Sequence, residues 1–221
     1  GWGISYQRSE TIHEQEHMSF HTKAIVKTED GREIHLELTL NMSRSFASRT
    51  DISFRAGDAS VDPLVINLKG TGASLGSKSY TFDLDADGKT EQIAFTGSGS
   101  GFLALDKNKN GLVDNGRELF GPSLGNGFAE LSLYDDDQNG WIDENDEVYM
   151  DLSIWMREDG GDPKLIALGQ AGVGAIYLGH AATQFSLKDA ANNTLGQVRQ
   201  TGVFLFETGR AGTIQHVDLA L

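Results

Sequence analysis

Oxygen-bearing side chains stand at positions 1, 3, 5, 9 and 12 of the run Asp135-Asp136-Asp137-Gln138-Asn139-Gly140-Trp141-Ile142-Asp143-Glu144-Asn145-Asp146. Gly140 takes position 6 and apolar Ile142 position 8. A hard cation such as Ca²⁺ takes six to eight oxygens at about 2.3–2.6 Å, and a short chain supplies them only by curling tightly round the ion. Alternate side chains then point inward, a glycine takes the sharp bend, and a main-chain carbonyl at position 7 adds an oxygen. The expected metal ligands are Asp135, Asp137, Asn139, the carbonyl of Trp141, Asp143 and Asp146.

This spacing is that of the EF-hand loop, except that Asp146 stands where the pattern has a bidentate Glu. The variant resembles the loops of dockerins and related bacterial calcium modules. Two further runs share it. Asp106, Asn108, Asn110 and Asp114 place oxygens at positions 1, 3, 5 and 9, with Gly111 at 6, the carbonyl of Leu112 at 7 and Val113 at 8. Arg117 at position 12 cannot ligate, so Glu118 is assigned as the closing carboxylate. Asp83, Asp85 and Asp87 with Gly88, the carbonyl of Lys89 and Glu91 repeat the first half of the pattern. Position 12 is Ala94, so this loop is expected to need water or a carboxylate from elsewhere. Asx-rich turns between strands are the plain alternative, and the threefold repetition argues against it. The expectation is two to three Ca²⁺ ions in a structural, non-catalytic role; Mg²⁺ suits flexible multi-carboxylate loops less well.

His13-Glu14-Gln15-Glu16-His17 spells H-E-x-x-H, which on a helix would offer two zinc ligands and a general base. It runs directly into a strand pattern at Met18. If the run is extended, His13 and His17 stand about 13 Å apart, too far to share one ion. A zinc protease is therefore the least favoured reading. No Ser/His/Asp triad and no phosphate-cradling glycine loop can be assembled, and His35, His180 and His216 read as structural or surface residues.

Composition narrows the partners. The formal net charge is −14, so phosphate backbones are repelled and nucleic acid is not expected. Three Ca²⁺ ions would bring that charge from −14 to −8. Cysteine is absent, which excludes disulfides and thiolate metal sites and leaves cations as the available staple. No apolar run is long enough to span a membrane as a helix. The chain opens on Gly1 without a signal peptide in view, which reads as a processed, excised or tagged chain. Nothing points to a particular protein partner.

The loops need a frame. Met18, Phe20, Thr22, Ala24 and Val26 alternate with polar residues, as do Ile34, Leu36, Leu38, Leu40 and Met42 after the turn signal Thr28-Glu29-Asp30-Gly31. This predicts a long hairpin with one buried face. Residues 43–60 read as loop with a short strand near Ile52–Phe54. A boundary at 60/61 separates this hairpin region, 1–60, from a calcium-loop domain, 61–221, possible as one continuous domain. Beyond it, strands are expected at 64–68, 80–84, 92–95, 102–105, 152–156, 175–178, 185–188, 196–207 and 212–220. Helices are expected near Asn115–Phe120, at 128–134 and 145–150 flanking the third loop, and at 165–170. The predicted class is α+β: strand-rich antiparallel sheets with short helices flanking the calcium loops.

The run Asp62-Pro63-Leu64, Phe82 to Gly88, Gly101 to Asp106, Asn115 to Gly121 and Gly127 to Leu131 resembles a calcium-binding module of large bacterial RTX-type secreted proteins. The resemblance covers roughly residues 62–180, and Asp106 through Gly121 is its best marker. The hairpin and the tail look more like an uncharacterised group of bacterial calcium-binding proteins. The resemblance alone favours a secreted or cell-surface location. It also implies an alternative function. In some relatives the module cleaves itself at an Asp–Pro bond when Ca²⁺ binds, and Asp62-Pro63 stands at the matching position. This chain has Asn67-Leu68-Lys69-Gly70-Thr71-Gly72 where relatives carry an acidic run, and the acidic stretch after Trp155 is shortened. Without a local cation to organise Asp62, the chain is expected to stay whole.

Overall fold

The computed structural model describes residues 11–28, 31–49, 60–70, 72–157 and 161–220. The tip of the predicted hairpin turn, the strand expected near Ile52–Phe54 and the opening Gly1 lie outside them.

Alternation dictates the first element. β1 (Thr11–Lys27) and β2 (Glu33–Arg49) pair antiparallel, with Met18 opposite Met42 and Phe20 opposite Leu40. Met18, Leu36, Leu38 and Leu40 are buried, so one face of this ribbon lies on the rest of the protein. Eleven more strands follow: β3 (Ser60–Val61), β4 (Leu64–Asn67), β5 (Leu75–Phe82), β6 (Glu91–Thr96), β7 (Ser100–Leu105), β8 (Trp141–Ile142), β9 (Leu152–Met156), β10 (Lys164–Ala167), β11 (Val173–Lys188), β12 (Thr194–Phe206) and β13 (Ala211–Ala220).

Nine of them form one antiparallel sheet in the order β10-β9-β7-β4-β13-β12-β11-β8, with β3 also on β13. Both faces of its centre are covered, so burial there runs on from residue to residue instead of alternating. β4 is buried at all four residues and β13 at nearly all of its length. The β5–β6 hairpin covers one face through an aromatic cluster in which Trp155 meets Tyr80, Phe82 and Phe95 at centroid distances of 4.8–5.5 Å. The opposite core gathers Leu64, Ile66, Phe128, Ile142, Leu152 and Phe204.

The predicted α+β class is wrong: the protein is mostly β. Among the described residues the single α-helix is α1 (Gly127–Leu131). Of the helices expected around the loops, the one at 128–134 is α1 followed by a 3₁₀ turn at Ser132–Tyr134, and those near 115–120 and 145–150 are reduced to 3₁₀ turns at Gly116–Glu118 and Glu147–Met150. Position explains the shortfall. Asp146 is extended (φ −96°, ψ 131°) as it reaches back to close its loop, and β9 starts at Leu152, which leaves room for only one turn. The helix expected at 165–170 is instead β10 and a following turn, with Leu165 opposite Trp155. A short apolar run fits either period, and here the free edge of β9 decides.

Candidate metal centre and the Asp62–Pro63 junction

The three acidic loops share one backbone plan. The amide of position 5 is donated to the carboxylate or amide oxygens of positions 1 and 3: Asp87 to Asp83 and Asp85, Asn110 to Asp106 and Asn108, Asn139 to Asp135 and Asp137, all at 3.0–3.2 Å. Position 6 donates to the other oxygen of position 1, from Gly88, Gly111 and Gly140. Position 4 has positive φ in each loop (Ala86 58°, Lys109 57°, Gln138 57°), and so does the glycine at position 6. That succession of left-handed residues curls the chain and turns the oxygens of positions 1, 3 and 5 towards one centre. Position 7 donates to position 5 through Lys89, Leu112 and Trp141.

A closing carboxylate completes each plan. Asp146 accepts from Asp136 N at 2.7 Å and Asp143 N at 2.9 Å. Glu118 accepts from Lys107 N at 3.1 Å and Asp114 N at 2.8 Å. Both are buried. In the first loop Glu91 accepts from Leu84 N at 3.1 Å, the same bond from the same loop position. The carboxylate that sequence reasoning sought elsewhere is therefore the one already placed at position 9. Because Glu91 opens β6, pairing with Phe82 in β5 brings it back over the loop without a twelfth residue.

The ligand sets differ. Asp135, Asp137 and Asp146 bring carboxylate oxygens within 4.8 Å of one another, and so do Asp83, Asp85 and Glu91. Asp143 instead accepts from Asn145 N at 2.9 Å, at the loop's exit. In the middle loop the side-chain amides of Asn108 and Asn110 both donate to Asp114, at 2.7 and 2.8 Å. In the first, Lys89 Nζ lies 3.0 Å from Asp87 Oδ2 and holds that carboxyl below the usual range. The oxygen count and the curl suit a hard cation in all three loops.

H-E-x-x-H has no such geometry. His13 and His17 are both exposed on β1, four strand residues apart. Glu14, on the other face, bonds Lys188 at 2.7 Å and Arg44 at 2.9 Å. Glu16 accepts from Ser186 N at 3.0 Å. These side chains dock the hairpin onto β11.

The Asp62–Pro63 junction lies between β3 and β4, beside β13. Val217 N donates to Pro63 O at 3.1 Å and Leu64 N to Phe120 O at 2.9 Å. Gly121, at φ 128°, packs against the main-chain carbonyl of Asp62 so closely that a Cβ would collide with it. The Asp62 side chain faces His216 and Asp218, with His216 Nε2 at 3.7 Å. In the run 67–72, Asn67 is committed elsewhere, to Ser100, Thr213 and Gln215. His216 and Asp218 were not among the expected site residues. Their signal was a histidine and an aspartate, spaced by two, on a strand buried along nearly its whole length.

No described helix is long and apolar enough to cross a membrane. Residues 152 in extent align with the iron-regulated protein FrpA of Neisseria meningitidis serogroup C at 28% identity, over 62% of this chain and 14% of FrpA. The chain thus matches about a seventh of that relative's length. The model of the SPM domain matches residues 64–220, beginning directly after Pro63, and the chain belongs to the SPM domain family.

Proposed function

We propose that this chain is a calcium-binding module whose loops at 83–91, 106–118 and 135–146 hold two to three Ca²⁺ ions that stabilise the fold. The observation that carries this is the shared plan: three loops of different sequence adopt the same left-handed pair, the same amide bonds and the same closing carboxylate. Concentrating that many carboxylates costs free energy through repulsion unless cations offset it. Titration calorimetry on chelator-treated protein should detect two or three bound Ca²⁺ ions. Ions that bind only the folded state raise stability by about 2.7 kcal/mol at one hundred times Kd. An unchanged melting temperature in chelator, with no heat of binding, would overturn the proposal.

A second reading is favoured by the junction. Asp62 is half-enclosed, and its carbonyl is pinned by Gly121, three residues after the closing carboxylate Glu118. The Asp62 carboxylate is suited to attack its own main-chain carbonyl, form a cyclic anhydride and expel the nitrogen of Pro63. Calcium in the second loop would order the segment 116–121 that fixes this geometry. The sequence-based reason for expecting an intact chain, a missing cation at 67–72, does not apply where β13 and Gly121 hold the residue. Intact chain incubated with millimolar Ca²⁺ and weighed by mass spectrometry should yield a fragment beginning at Pro63, absent in Asp62→Asn. A chain that stays whole at every calcium concentration removes this reading and leaves the first untouched.

A further inference from the structure

β13 encloses Ile214, Val217 and Leu219 completely, yet it also carries His216 and Asp218 at 4% and 6% exposure. Residues two apart on a strand project to one face, and both meet Asp62, the three offering side-chain atoms within 4.8 Å of one another. Neither ring nitrogen of His216 has a hydrogen-bond partner among the described residues, and neither does Asp62 Oδ1. Burying an imidazole with both nitrogens unbonded is costly, so its place beside a carboxylate is better explained by chemistry than by packing. Asp218 is held differently. Register slips between Val198 and Gln200 on β12, and such a bulge re-aims a side chain; Arg199, at the slip, forms an ion pair with Asp218. Among the described residues, the charged groups gathered here are Asp62 from the β3–β4 link, His216 and Asp218 from β13, and Arg199 from β12.

We propose that His216 is the proton carrier for scission of the Asp62–Pro63 bond, and that Asp218, tethered by Arg199, is the positioning residue that keeps the Asp62 carboxyl beside it. The proposal rests on the cleavage reading above. In the step, the Asp62 carboxyl gives its proton to His216 Nε2, and the freed oxygen attacks the main-chain carbonyl carbon of Asp62. The C–N bond to Pro63 breaks with its electron pair on nitrogen, and that nitrogen takes the proton back from His216. One water then opens the cyclic anhydride, leaving two carboxyl groups on Asp62. No oxidant, reductant or cofactor is needed. Burial pushes the Asp218 carboxyl up despite Arg199, and the nearby Asp62 carboxyl adds to that push.

The experiment follows release of the Pro63 fragment from the full chain in saturating Ca²⁺ against pH. Wild type should show a bell, because the step needs one proton on the Asp62–His216 pair and fails when the pair holds two or none. His216→Gln should slow release at least about 10²-fold while calcium binding and melting temperature stay near wild type. Asp218→Asn should slow it less and move the acid arm of the bell, which a merely structural role would not do. If His216→Gln cleaves at the wild-type rate and pH profile, the assignment is overturned and the cleavage reading stands. If that variant does not fold, the wild-type profile still decides: a rate that rises to a plateau without falling overturns it. A wild-type chain that never cleaves removes both.

Discussion

Gly121 packs against the main-chain carbonyl of Asp62 so closely that no β-carbon fits between them. The adjacent Phe120 carbonyl accepts the amide of Leu64, so one short segment grips the junction on both sides of Pro63. That segment begins at Gly116, whose amide bonds the carbonyl of Asp83 at 2.9 Å. It passes through Glu118, the closing carboxylate of the second loop. The first loop, the second loop and the Asp–Pro bond are therefore links of one chain of backbone contacts, and order in the loops is order at the bond.

Gly121→Ala tests that linkage. The substitution places a methyl group into the Asp62 carbonyl and forces a β-carbon on a residue at φ 128°. We expect a loss of stability of about 3 kcal/mol or more, read by urea unfolding, together with loss of any Pro63 fragment. Gly125→Ala, where the nearest Asp62 atom is 3.8 Å from the added carbon, should cost far less. Equal effects at the two glycines would mean that the close approach at 121 is not what matters.

The third and second loops should differ in calcium affinity. The 135–146 loop presents three carboxylates to one centre, whereas the 106–118 loop has amides at positions 3 and 5 that already bond Asp114. Asp135→Ala or Asp146→Ala should remove the tightest site, and Glu118→Ala should weaken the second. Calorimetry separates the outcomes, since equal affinities or an unaffected tight site in Asp146→Ala would contradict the ranking.

What the sequence made legible follows from how local each feature is. The loop at 135 could be read because twelve adjacent residues carry its oxygens, its bend and its closing carboxylate. The hairpin could be read because Met18 and Leu40 sit on a period of two with one buried face. The helices failed where tertiary pairing overrode local pattern, as at Leu165 against Trp155. Glu91 was misjudged because its reach depends on β5 pairing with β6, which spacing alone does not reveal. His216 was set aside because its relation to Asp62 spans most of the chain and exists only once β13 lies beside β4.

Glu14 should act as a pH-dependent clamp for the hairpin. Its hydrogen bonds to Lys188 and then Arg44 lower its pKa from 4.5 to about 2. A carboxyl lowered on folding contributes stability that is fully present above its unfolded value, near 4.5, and is lost as pH falls towards 2. The side chain is 32% exposed, so screening limits the contribution to about 1 kcal/mol. Glu14→Gln should therefore be less stable than wild type at pH 7, with the gap closing as pH drops towards 2. A gap that is the same at pH 7 and pH 3 would show that the ion pairs contribute nothing.

The first loop gives the sharpest test of how these loops close. Glu91 takes the place that Glu118 and Asp146 take in the others, yet it comes from position 9, so the same carboxylate must serve where the others use two residues. Lys89 adds a second handicap, because its ammonium sits on Asp87 and competes with a cation for that oxygen. Two substitutions should move the site in opposite directions. Glu91→Gln leaves an oxygen for the amide of Leu84 but removes a charge from the centre, and it should abolish binding at this loop. Lys89→Ala frees Asp87 while keeping the position 7 carbonyl, and it should tighten binding a few-fold, with the gain shrinking as salt is raised. Both are measured by calcium titration in an Asp135→Ala background, where the strongest site no longer masks the weakest. If Glu91→Gln binds as wild type does, the carboxylate is a structural cap of the β5–β6 turn and the first loop holds no ion.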